Sequence, residues 1–530
     1  MGAAASTPAA AGGAAAAKNV CAAAATTTTT SLLSAASVAA ASLPPTAVLR
    51  DRAAGALWAA LAADALAMPV HWFYNPADIA RLGGVGGRFP YGENGDADGD
   101  EGADGEGGGG GGKKSAETKS WYRDPPKSHP GAIMSLHSTG GQGRGGQTGS
   151  VIGDVINHGK KRFWGAAGTH YHNCLRAGDN TLNALCLRLA ARAVAEPSAP
   201  YFSEAAGGDA GHAGRFLKSY VAFMTAPGSH DDTYAESFHR AWFANWARGV
   251  APERCSEGTQ GHDDSQIGGF VMLPPVALAA AVDAARKVDD GAAARSDPAR
   301  ARAVAERAAA EASVAHLRLT HASPKLEAAA ARYGALLARV ALAPVSAEDG
   351  GASASAAAHD AATTQRVLLQ QASATATALL KSEAAREASL GVAGAGGIRP
   401  LDVAELASLS DAAERGEGGS AGWDDVRVLH RVTGPACYIE SSWPAVLYLS
   451  ARHADPAAPA RGVKRALEAN ANAGGENCHR GAALGALVGC AAGEATGVPR
   501  AMREGRGGLR DGAAIRAEVD AFLDAAIGPA

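Results

Sequence analysis

Apolar residues recur along the chain at the three-and-four spacing of amphipathic helices, and alternating strand-like runs are almost absent. The first such stretch runs from about Arg52 to Ala67, where Leu57, Leu61 and Ala65 share a face beside Trp58 and Pro69 marks the stop. A second starts near Thr181, with Leu182, Leu185, Cys186, Leu189 and Ala193 on one side. Ala235 to Arg248 carries a stripe of Phe238, Trp242 and Trp246, with Phe243 flanking it. Pro274 and Pro275 lie inside the next apolar run. From Ala284 to Ala343 the pattern is helical and alanine-rich, broken at Pro324, with Leu326, Tyr333, Leu337 and Val340 on its later face. Pro444 falls where the first turn of a helix tolerates proline, ahead of Val446, Leu447, Leu449 and Ser450. Last, Gly481, Gly485, Gly489 and Gly493 recur every four residues. A glycine face costs helix propensity but permits close backbone approach, so this helix is expected to be deeply packed. The pattern predicts an all-α fold.

Composition narrows the part of the chain that folds. Residues 1–48 are almost entirely Ala, Ser, Thr, Gly and Pro, and residues 92–117 form an acidic glycine tract. Neither segment can bury enough apolar surface to offset its ordering entropy. With linker-like insertions at 346–362 and 391–422, one helical domain is expected over residues 49–525 of the 530. The N-terminus has three readings: a plastid-type transit peptide, plain disordered sequence, or an N-myristoylation signal at Met1-Gly-Ala-Ala-Ala-Ser6. A net charge of −4 argues against nucleic acid as the main partner, so no sequence-specific binding of that kind is expected. Seven scattered cysteines without a C-x-x-C pair suggest reduced thiols in an intracellular compartment, cytoplasmic or organellar. No apolar run looks long enough to span a bilayer, so a soluble protein is expected.

The chemistry is most visible in Leu175-Arg-Ala-Gly-Asp-Asn-Thr-Leu-Asn-Ala-Leu-Cys-Leu187 and Asn472-Ala-Gly-Gly-Glu-Asn-Cys-His-Arg-Gly481. Each sets short polar side chains directly before a strongly periodic helix, and the two lie about 300 residues apart. Together with Gly55-Ala-Leu-Trp-Ala-Ala-Leu-Ala-Ala-Asp-Ala-Leu-Ala-Met-Pro69, they resemble the three signatures of the ADP-ribosylglycohydrolase family over roughly residues 50 to 510. The resemblance implies a large orthogonal helical bundle and a paired magnesium site that cleaves ADP-ribose from its acceptor. Magnesium takes hard oxygen donors in near-octahedral array, and helix starts can present several together.

At the matched positions, the resemblance points to Asp179, Asn180 and Thr181 from the first segment and Glu476 from the second as metal ligands. Asn180 offers a neutral carbonyl and Gly178 no side chain, while Cys478 and His479 stand where the family has Asp and Thr. Two carboxylates are too few for two divalent ions. One or two Mg2+ ions are therefore the first expectation, with Mn2+ or Zn2+ as alternatives, since soft and borderline donors suit zinc. Replacement acids occur in Ser229-His-Asp-Asp-Thr233 and Gly261-His-Asp-Asp-Ser265. Asp232 is a further candidate ligand, and Asp231, Asp232 and Glu440 are candidate catalytic acids or bases; helix capping is the structural reading of the same residues. Asp64, Arg144 and His172 are candidate substrate contacts. Asp64 is an acid within an apolar helix and needs a partner. Arg144 belongs to Gly141-Gln-Gly-Arg-Gly-Gly146, which fits G-x-G-x-x-G without the strand a dinucleotide fold needs, and no G-K-[ST] is present.

Three functions remain open on the sequence: a metal-assisted hydrolase acting on an ADP-ribosylated small molecule or protein, a catalytically inactive module that binds ADP-ribose or a nucleotide, and a crystallin-like structural protein.

Overall fold

The computed structural model describes residues 43–86, 120–130, 151–196, 211–258, 265–290, 297–344, 425–453, 455 and 458–529. All of them belong to one compact unit, residues 41–530. The tract 92–117, the insertions 346–362 and 391–422, and Arg144, Asp263 and Asp264 lie outside the described residues. Among the described residues there is no strand, only isolated bridges such as Gln266 with Tyr438. The fold is all-α.

The architecture is built around two helices of small residues. Helix α1 (Thr46–Ala67) begins six residues earlier than its apolar pattern suggests and is buried on every side from Arg52 onward. Helix α10 (Asn477–Ala492) is likewise buried almost throughout. They pack backbone to backbone. A Cβ at Gly485 would strike the Ala59 carbonyl, and one at Gly489 the Gly55 carbonyl. Gly493 ends the helix in a left-handed conformation, φ 74°, and still lies against α1, where a Cβ would strike the Asp51 carboxylate.

Around this pair lie α2 (Leu182–Ala195), α3 (His212–Thr225), α4 (Ser237–Ala247), α5 (Leu273–Asp290), α6 (Pro298–Arg318), α7 (Pro324–Ala341), α8 (Ile439–Arg452), α9 (Pro459–Ala473) and α11 (Gly512–Ala526). Helices α5, α6 and α7 pack consecutively, α9 and α8 lie on α10, and α11 covers α2. Proline punctuates several starts. Pro298 and Pro324 occupy first positions, behind Asp297 and Ser323, whose side chains accept from Arg300 and Leu326 N–H groups. Pro274 and Pro275 fall in the first turn of α5, which continues a 3-10 segment at Ile267–Met272. Pro444, expected in a first turn, is instead the sixth residue of α8 and removes a hydrogen bond inside it. A second core of Phe216, Tyr220, Phe238, Trp242 and Phe243 joins α3 and α4 to the buried face of α2.

Two stretches, Thr46–Val70 and Ile267–Val288, are in fact long and apolar enough to cross a membrane, contrary to the sequence expectation. Both are core helices, 100% and 89% buried inside the protein. Alanine supplies much of the apolarity of the first stretch, where it serves close packing. Among the described residues Cys174, Cys186, Cys255, Cys478 and Cys490 are thiols outside any disulfide.

The α1–α10 contact leaves no space for a side chain, so Gly485→Val is expected to destabilise the fold by about 1–3 kcal/mol through overpacking. Urea denaturation measures this; an unchanged midpoint would mean that the two backbones separate at little cost.

Candidate functional site

The chain leaves α1 through a 3-10 turn at Met68–Val70 and enters His71-Trp72-Phe73. Trp72 adopts φ 60°, a left-handed conformation that bulky residues rarely hold. Its neighbours enforce it. Trp72 N–H donates to the Gly475 carbonyl at 2.9 Å, and Gly475 N–H returns a bond to the Phe73 carbonyl at 2.9 Å. Gly474 and Gly475 have φ 71° and 64°, and a Cβ on either would strike a carbonyl, of Phe73 and Pro435 respectively. Only glycines allow this approach, which sets Glu476 directly before α10 with its N–H on the Pro435 carbonyl.

From Glu476 a buried row of acids and imidazoles runs in both directions. Trp72 Nε1–H donates to Glu476 Oε2 at 2.6 Å, and His71 Nε2 lies 2.9 Å from Glu476 Oε1. His71 Nδ1 is 2.7 Å from His172 Nε2, and His172 Nδ1 is 2.7 Å from Asp232 Oδ1. Asp232 also accepts from the N–H groups of Leu182 and Tyr234 at 2.8 and 3.1 Å, so it fixes the start of α2. On the other side, His479 Nδ1 lies 2.8 Å from Glu476 Oε1 and 3.3 Å from Glu236 Oε1. Asn183 donates to Glu236 Oε2 at 2.5 Å, and His239 Nε2 lies 3.0 Å from Asn183 Oδ1. Every side chain in this row is buried.

Burial opposes charge throughout, and the partners decide who keeps it. Burial pushes His71 down to about 3 even though Glu476 favours its charged form. Burial would raise Glu476 and Asp232, yet the adjacent imidazoles outweigh it and hold both below the usual carboxylate range. His479 is also disfavoured as a cation by burial, but Glu236 and Glu476 outweigh that and lift it well above the ordinary imidazole value.

The residues expected from sequence fall into separate settings. Asp64 is buried and binds the start of α2: Thr181 Oγ1–H and N–H donate to it at 2.6 and 2.8 Å, and the Asn180 amide at 3.0 Å. Burial raises its carboxyl, with those donors opposing. Asp179 turns away to Arg510, 3.1 Å, and to the Arg176 N–H, 2.8 Å. Gly178 has φ 81°, a turn position that only glycine fills easily. Asp231 is exposed, whereas Asp232, His172 and Glu476 stand together in the row. Glu440 pairs with Lys325 at the edge of the fold. Glu236, His71 and Trp72 were not foreseen. Glu236 had one signal, its place four residues after Asp232, and Gly268 leaves room for its carboxylate.

The body is all-helical and gathers buried acids at helix starts, and its family follows from sequence similarity. Residues 45–528 match the family model described as ADP-ribosylglycohydrolase, and the chain belongs to that family. A solved structure titled "ADP-ribosylglycohydrolase-related protein complex" is similar at 14% identity and TM-score 0.38, over 90% of this chain and 99% of that one. No curated protein matches.

The family generally depends on metal, but the side chains at the expected magnesium positions do not fit a magnesium pair. At the expected ligand positions, the Asn180 amide and the Thr181 hydroxyl both donate to Asp64, Asp179 is held by Arg510, and Glu476 and Asp232 face imidazoles. Hard-oxygen, six-coordinate binding has no free set of donors there.

Asp64→Ala is expected to cost on the order of 3 kcal/mol by stranding buried donors of Asn180 and Thr181. Asp64→Asn, which keeps one acceptor oxygen, should cost less. Chemical denaturation of both variants checks this; equal stability to the parent would show that the α2 start does not depend on Asp64.

Proposed function

We propose that the chain is a hydrolase that cleaves the glycosidic bond between ADP-ribose and an acceptor on a small molecule or protein. The observation that carries this reading is the family match across residues 45–528. Features near Glu476 support a site for an anionic nucleotide ligand. Tyr74, two residues beyond Trp72, is the large apolar side chain left exposed among the described residues. Behind it, Arg480 is fully buried. Its Nε binds Asn470 Oδ1 at 2.8 Å and Nη2 binds the Gly474 carbonyl at 2.9 Å, while Nη1 makes no hydrogen bond. Burial pushes Arg480 down to about 10, with Glu476 opposing, so it stays charged at neutral pH. The exposed Tyr74 ring offers a face on which a base can stack, and the buried Arg480 nearby adds positive potential that favours an anionic ligand.

Glycoside hydrolysis needs a carboxylate to take a proton from water as an oxocarbenium-like centre develops. Asp232 has its oxygens committed to His172, Leu182 and Tyr234. Glu236 keeps Oε1 without a hydrogen bond, which favours it as the base. Asp232 and His172 then position the row, and Asp64, Asn180 and Thr181 hold the α2 start.

The test is release of free ADP-ribose by the full chain from ADP-ribosylated arginine, serine peptide and nucleic-acid substrates. Release from at least one is expected, with Glu236→Gln slower by about 100-fold or more, the usual weight of a general base. No release from any substrate, together with thermal stabilisation by ADP-ribose, would replace this reading with a binding module.

A further inference from the structure

Hydrogen-bond direction along the buried row leads to an unmet demand for positive charge. With both imidazoles neutral, Asp232 accepts from His172 Nδ1–H, and His172 Nε2 accepts from His71 Nδ1–H. His71 Nε2 is then a lone pair, and it faces Glu476 Oε1, another lone pair, at 2.9 Å. Two acceptors at that separation repel unless a cation lies between them. The same Glu476 oxygen is 2.8 Å from His479 Nδ1, and that nitrogen lies within 3.3 Å of Glu236 Oε1. Neither His479 Nδ1 nor Glu236 Oε1 achieves hydrogen-bond geometry with any partner, although both residues are buried. The two carboxylates favour positive charge at His479, but a proton on Nδ1 lies in hydrogen-bond geometry with neither.

We propose that His71 Nε2, Glu476 Oε1 and His479 Nδ1 together hold one zinc-class divalent ion, with Glu236 beside its remaining position. These three ligand atoms lie within 4.8 Å of one another. Tetrahedral zinc with bonds of about 2.0–2.1 Å spaces its ligand atoms by roughly 3.3 Å, so small adjustments admit the ion. Two imidazoles and one carboxylate form a borderline donor set that favours zinc over magnesium. Glu476 and Glu236 supply two negative charges against the ion's two positive ones. The supporting shell is also present: Trp72 Nε1–H orients the Glu476 carboxylate, and Asp232 through His172 fixes the His71 tautomer. The site shares Glu476 and His479 with the segment at the start of α10, but it takes His71 from the exit of α1 and nothing from the oxygen-only segment at 179–181. It needs no substrate, so it stands or falls separately from the hydrolytic reading.

The experiment uses the full chain, stripped by chelator and titrated with Zn2+ alone and with Mg2+ alone, with bound metal measured by elemental analysis. One zinc per chain and no comparable magnesium binding are expected. His71→Gln and His479→Gln should each weaken zinc binding by at least about 100-fold, and His172→Gln by about 10–100-fold, while His453→Gln, whose imidazole pairs with Asp425 elsewhere, leaves it unchanged. Absence of zinc from the wild type, or wild-type affinity in His71→Gln and His479→Gln, overturns the proposal. So does loss of zinc from Cys478→Ser with retention in His479→Gln, which would move the ion to the neighbouring group of His71, His172 and Cys478. Should the histidine variants fail to fold, Co2+ substitution of the wild type decides. Intense visible bands of a four-coordinate ion support the site, and a weak six-coordinate spectrum refutes it.

Discussion

Helices α1 and α10 touch at their backbones, and most of the site's geometry follows from that closeness. Gly55, Gly485 and Gly489 leave no side chain between them, so the axes approach more closely than leucine-packed helices allow. At one end of this contact, Asp64 reaches the start of α2, and Cys478 lies against the Asp64 carbonyl. The segment leaving α1 meets the segment entering α10 through the paired bonds between Trp72–Phe73 and Gly475. Residues 405 positions apart, His71 and Glu476, are thereby brought to 2.9 Å.

Four buried carboxylates, Asp64, Asp232, Glu236 and Glu476, would be ruinous in a low-dielectric interior without compensation. Each is answered locally. Asp64 and Asp232 receive backbone N–H groups at the start of α2, where the helix dipole also favours negative charge. Glu476 and Glu236 face imidazoles instead. The first pair is satisfied by fixed hydrogen bonds and is structural in character. The second depends on groups that can gain or lose a proton or bind an ion, and the unpaired atoms concentrate there. Energetic completeness thus separates scaffold from chemistry within one row.

Sequence periodicity carried the helices well because most bury one face, and the all-α architecture followed from it. It failed where burial has no period. The start of α1 has no apolar stripe, Pro444 sits inside α8, and Gly493 caps α10 although its spacing continues the glycine face. In the site, Asn180, Thr181 and Glu476 were legible as polar residues placed directly before periodic helices. Glu236 and His71 were hidden, since their partners lie in distant segments and their own surroundings look like an ordinary helix entry and an ordinary helix exit. The bond of Asp179 to Arg510 had no local signal either, since it spans over 300 residues of chain.

Asn180, which stands where the family resemblance implies an Asp, lets the start of α2 close without a cation. The Asn180 amide nitrogen lies 3.0 Å from an Asp64 oxygen and 2.8 Å from the Leu61 carbonyl. A carboxylate in its place would set like charges about 3 Å apart in a buried setting, where they cannot both ionise without an ion between them. The amide removes that need by donating to both oxygens. A second substitution acts in the opposite sense, since His479 and the buried His71 turn ring nitrogens toward Glu476. The demand for positive charge is relieved at the α2 start and created at the α10 start, and the donors that meet it there are nitrogen as well as oxygen.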